Sequence, residues 1–136
     1  MTIQMDDASR NARLDAIEST AGASVSMQIL TGSQPSDCVT ADGGSVLWDV
    51  NLPADWMAGA SGGSKAKSGT WSGSASGTGT AGHFRLFNSQ ATKDETTCFM
   101  QGAISTSGSD LNLDNTSINS GQTVTISTFT LTDGNA

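Results

Sequence analysis

The chain has 136 residues, and its 13 acidic against 6 basic residues leave a net charge of −7. That balance lacks the basic footprint that binding a phosphate backbone requires, which argues against nucleic acid as a partner. With 35% hydrophobic and 14% charged residues the chain is too apolar for disorder, its length suits one domain, and 16 glycines with only 2 prolines suit short strands joined by turns.

The opening "MTIQMDDASRNARLDAIEST" has no basic leader followed by an apolar run. No stretch anywhere approaches the ~20 apolar residues of a membrane span, so synthesis in the cytoplasm and no membrane partner are expected. Ala8, Ala12, Leu14, Ala16 and Ile17 form a weak helical stripe, and Asp6 and Asp7 sit where a helix N-terminus favours negative charge. So few large apolar groups predict a short helix or an extended arm over 1–22, docked on a neighbour and broken by "STAGAS".

From residue 23 to 136 the period changes to two, the mark of half-buried strands. "SVSMQIL" puts Val25, Met27 and Ile29 on one face, and "SVLWDVNL" does the same with Val46, Trp48, Val50 and Leu52. Further strands are expected around Trp71, through "GHFRLFN" with Phe84 and Leu86 opposed to His83, Arg85 and Phe87, and through "TTCFMQGAIS". After the turn "TSGSD", Leu111 and Leu113 alternate, and "GQTVTISTFTLTDG" closes a set of seven or eight strands. Val124 and Ile126 share a parity that Phe129 and Leu131 reverse, which requires a bulge or bend near Ser127 and Thr128. The pattern predicts an all-β antiparallel sandwich or jelly roll with Met27, Val46, Trp48, Val50, Phe84, Leu86, Val124 and Ile126 in its core.

Two segments resist that reading. "LPADWMAGA" follows a strand stopped by Pro53, and Asp55, Trp56 and Met57 suit one helical turn whose Trp and Met either plug the sandwich or face a partner. The stretch 59–82 is almost all Gly, Ser, Thr and Ala around Lys65, Lys67 and Trp71. It reads as a loop that gains its order by lying against a neighbouring molecule.

No catalytic constellation stands out. His83 is the sole imidazole, placed at a strand start where a solvent-facing or core-edge role is the commoner one, and the carboxylates show no spacing that selects a pair. "GGSKAKSG" lacks the strand and helix frame of a phosphate-binding loop, and "SGSDLNLDN" does not match the twelve-residue calcium loop. Cys38 and Cys98 form no metal-like pair and are expected as free thiols. The reading is a non-enzymatic protein without cofactor or metal.

Binding remains. Three tryptophans on a β-sandwich suit a carbohydrate platform, while the small-residue segment suits a place in a protein assembly. "NARLDAIE", "NLPADWMAGASGGSKAKSGTW", "GTAGHFRLF" and "SGQTVTISTFTLT" together resemble small virion proteins of tailed bacteriophages, and the size and fold are similar to the jelly-roll capsid cement (decoration) family known from a Bordetella podovirus. The resemblance implies a structural protein on the outer capsid surface, bridging subunits of the major capsid protein as a homo-oligomer, with a dimer favoured and a trimer as the alternative. Arg10, Arg13, Trp56, Lys65, Lys67 and Trp71 are the expected contact residues. The alternative is a fibre, collar or tail component that binds a host glycan.

Overall fold

The structure, a computed structural model, describes residues 3–134. One helix, α1 (Asp7–Ala21), precedes ten strands: β1 (Ser26–Thr31), β2 (Val46–Asn51), β3 (Ser64–Ala66), β4 (Trp71–Ser74), β5 (Gly79–Phe87), β6 (Cys98–Ser105), β7 (Leu111–Asn112), β8 (Ser117–Ile118), β9 (Thr123–Ile126) and β10 (Thr130–Thr132). The Asp6 carboxylate starts α1 by accepting the Ser9 N–H at 2.9 Å. Gly22 ends it at φ 84, its N–H donating to the Glu18 carbonyl at 2.9 Å. The helix buries only Leu14 and Ala21, as its weak stripe implies.

The strands form an all-β sandwich with this short N-terminal helix. One sheet runs β2-β1-β5-β6-β7, with β8 on the early part of β5. Every pairing in it is antiparallel except β6 with β7. Two small ladders, β3 with β10 and β4 with β9, cover its inner face. The interior between them is aromatic: Phe99, Trp56, Trp71, Phe129 and Phe84 follow one another at ring separations of 5.8, 6.4, 5.3 and 5.6 Å. Each buried indole N–H has a carbonyl acceptor, Gly73 for Trp48, Gly22 for Trp56 and Ser68 for Trp71. Area and polar satisfaction therefore agree at all three positions.

The parity switch in the last strand is a change of partner. β9 pairs with β4, the chain turns through 127–129 with Phe129 buried, and β10 pairs with β3. Val46, by contrast, is not core; it is 38% exposed while Leu47 is buried. Ile29 pairs with Trp48 and Leu30 with Val46, so Leu47 is the extra residue of a bulge, which turns it inward and Val46 out.

The stretch 59–82 is sheet rather than an unpartnered loop. It contains β3, β4 and the start of β5, each paired with another strand of the same chain. Small residues serve close approach there: a Cβ at Gly82 would stand 2.1 Å from the Gly32 carbonyl oxygen, a gap only glycine leaves open. "LPADWMAGA" forms no helical turn; Met57 makes a bridge to Lys67, and Trp56 and Met57 are the plug.

The outer face of the large sheet is covered as well. His83, Arg85 and Gln28, on the parity opposite to Phe84, Leu86 and Met27, are buried. The chain between β1 and β2 folds back over them. Arg85 Nη2 donates to the carbonyls of Cys38 and Thr40 at 2.8 and 3.0 Å, and Gln101 Nε2 to that of Pro35 at 2.7 Å. Because the covered face carries polar His83, Arg85 and Gln28, the sequence alternates as a half-exposed strand does, and alternation alone does not reveal this cover.

Candidate interaction surface

The six residues expected at a contact surface fall in one neighbourhood, where α1 lies on the segment 56–71. Lys65 is 1% exposed. Its Nζ donates to Asp15 Oδ1 and to the Ala58 carbonyl at 2.7 and 2.9 Å and lies 2.7 Å from Glu18 Oε2. Asp15 and Glu18 stand three apart on the helix, so one face of α1 delivers both carboxylates to one ammonium. Burial alone would push the Lys65 ammonium down; the hydrogen bonds it donates to Asp15 and Glu18 outweigh that and raise its pKa above 10.5. Asp15 is lowered by the hydrogen bond from Lys65 and by the Ala60 N–H.

Alongside, Asn11 Oδ1 accepts the Gly63 N–H at 2.9 Å. Arg10 aims Nε and Nη2 at the Asp133 carbonyl at 2.9 and 2.7 Å and Nη1 at Asp7 at 3.0 Å. Arg13 Nη2 donates to Asp133 Oδ1 at 3.0 Å, and its Nε lies as near to Oδ2 without aligning for a hydrogen bond. Both ends of the described chain are thereby tied through the helix. Trp56 and Trp71 lie beneath as core, 0% and 1% exposed, and Lys67 donates to the Gly69 carbonyl at 2.7 Å with its ammonium 5.6 Å from the Trp71 ring centre.

The structure therefore brings the six together, but as an internal clamp. Trp56, Trp71 and Lys65 are buried and present nothing to a neighbouring molecule; Arg10, Arg13 and Lys67 already have partners in their own chain. The remaining two cations are engaged likewise, Arg85 as described and Lys93 with Asp49. Asp37, Asp55, Asp110 and Asp114, in contrast, are exposed. What the chain offers outward is mainly acid, Arg13 being the one cation left well exposed. Sequence reasoning missed this because the partners of Lys65 and Arg10 lie 50 and 123 positions away.

An open groove of about 340 Å³ between α1 and the sheet rim, lined by Arg13, Ala16, Ile17, Thr20, Asn88 and Phe99, could hold a ligand. On the outer face, His83 is fully buried, with Nδ1 2.8 Å from the Gly32 carbonyl and Nε2 2.5 Å from Asp42 Oδ2. Both ring nitrogens thus lie at hydrogen-bond distance from an oxygen. This histidine fastens the cover to β5, and no nucleophile shares a hydrogen bond with it. Among the described residues no group of three or more His, Cys, Asp or Glu is placed to hold a metal ion, and no helix is long and apolar enough to cross a membrane. In comparisons with known proteins, no family model, curated protein or solved structure matches the chain.

Proposed function

We propose that this chain is a structural, non-enzymatic virion protein that binds the outer surface of a bacteriophage capsid and bridges neighbouring subunits of the major capsid protein. One observation carries the reading: all three indoles are buried and all six cations already have an acceptor within the chain, with Arg13 alone left well exposed. What remains for a partner is the shape and acidity of a pre-ordered body, which suits a protein that fits onto a lattice rather than one that turns over a substrate. The resemblance of four stretches of the sequence to small phage virion proteins supports the same reading. The glycan alternative loses its platform, because Trp48, Trp56 and Trp71 are no more than 1% exposed.

Mechanistically the role is multivalent. Each copy, in a two-fold dimer seated on a matching lattice axis, adds a modest contact, and the lattice supplies the high effective concentration. The negative surface selects a basic patch on the shell and makes association sensitive to salt. The test is co-sedimentation of purified protein with DNA-filled phage shells stripped of their decoration. Near one copy per capsid subunit, decreasing as salt rises, is expected; no binding to the shell, or a few copies located at the tail, overturns the proposal.

A further inference from the structure

Cys38 and Cys98 stand roughly 60 residues apart in sequence, and both are half-buried free thiols. Three observations bring them to one place. Arg85 on β5 holds the Cys38 carbonyl at 2.8 Å, and Gln101 on β6 holds the Pro35 carbonyl at 2.7 Å, which pins residues 35–38 over these two strands. Arg85 pairs with Gln101 and Phe87 with Cys98, with a bulge between. Phe99, the extra residue, packs on Trp56 in the interior, so Cys98 returns to the outer side that Gln101 occupies. There the Cys98 side chain meets that of Cys38, while its thiol donates to the Met100 carbonyl at 3.6 Å.

We propose that Cys38 and Cys98 are a reversible dithiol–disulfide site, closed by a small-molecule disulfide in an oxidising medium, that staples the cover between β1 and β2 to β6. Burial pushes the Cys98 thiol up to about 12, with Cys38 adding to the rise. The Cys98 thiol is engaged by the Met100 carbonyl, so Cys38 starts the exchange. The Cys38 thiolate attacks one sulfur of glutathione disulfide, forming a mixed disulfide and releasing one glutathione thiolate. Cys98 then gives its proton to water and attacks the Cys38 sulfur, releasing the second glutathione. Two electrons pass from the two protein thiols to the glutathione disulfide, and each released thiolate takes up a proton.

This inference does not depend on the capsid reading, since it is tested on the isolated protein. Folded protein is incubated with glutathione disulfide and analysed by intact mass and peptide mapping, beside a sample kept in dithiothreitol. A loss of about 2 Da, a linked Cys38–Cys98 peptide and a rise in Tm of roughly 5–10 °C, all reversed by dithiothreitol, are expected. Cys38→Ser, checked for native near-ultraviolet circular dichroism, should show neither the mass loss nor the Tm rise. Stable glutathione adducts without ring closure, unreacted thiols, or the same Tm rise in Cys38→Ser would overturn the proposal.

Discussion

The aromatic interior and the polar clamp beneath α1 lie side by side, and they are held together by different physics. Phe84, Trp56, Trp71 and Phe129 contribute by area, which no single hydrogen bond defines, and their order depends on neighbours filling the space. Lys65, Arg10 and Arg13 contribute by direction: each donor has a specified acceptor on α1 or near the chain's far end. The interior sets whether the sandwich exists. The clamp sets where the helix sits on it.

That division is most severely tested at Trp71. Trp71→Ala removes the ring linking Trp56 to Phe129 and should cost about 3–5 kcal/mol, seen as a shift of the whole urea transition without a change of slope. A loss confined to α1 would erase the distinction.

Lys65→Ala should sharpen it. Breaking a fully buried pair costs about 3–5 kcal/mol. Asp15 and Glu18 keep 49% and 24% side-chain exposure, so about 2 kcal/mol is expected here, because water can re-solvate both carboxylates. Amide exchange should speed up in α1 well before it does in β1 and β5.

The same residue predicts a pH signature. Asp15 is lowered in the folded state, so its contribution is present above the ordinary 3.8 and disappears as pH falls through the depressed value. Lys65 is raised, so its contribution is complete below 10.5 and disappears as pH climbs through the elevated value. Urea midpoints should be level from just above 3.8 to about pH 9, where the raised Cys98 thiol begins a decline of its own, and Lys65→Ala should flatten the acid limb and the part of the alkaline limb above 10.5 relative to the parent.

The smallest effect belongs to Gly63→Ala. At φ +76 a side chain is strained, and a Cβ would lie 2.1 Å from Arg10 Nη2, forcing the guanidinium off the Asp133 carbonyl. About 1–2 kcal/mol is expected, and Arg10→Ala in the same background should add little, because the contact is already gone. Full additivity, measured by a double-mutant cycle in urea, would show that the two do not share a seat.

The strands were legible because their periodicity is local. Phe84 against His83, Val124 with Ile126, and the reversal at Phe129 can each be read within a few residues. The position of Val46 was not, because the bulge that expels it is set by the register against Ile29 and Leu30. The segment 59–82 misled for a related reason. Its low complexity says nothing of β9 and β10, whose backbones supply the missing hydrogen bonds from roughly 50–70 residues later. The clamp was least legible, since charge alone does not tell an inward lysine from an outward one.

The pairing of β3 with β10 and of β4 with β9 also fixes an order in time. On the ribosome, the β2-β1-β5-β6 part of the large sheet can assemble once Ser105 has emerged, whereas β4 must wait for β9 and β3 for β10. For that interval they are an unclaimed ribbon, in which glycine, serine and threonine surround one large apolar residue, Trp71, and Lys65 and Lys67 flank it as charges that discourage adhesion. The blandness of this stretch thus matters most before the molecule is finished.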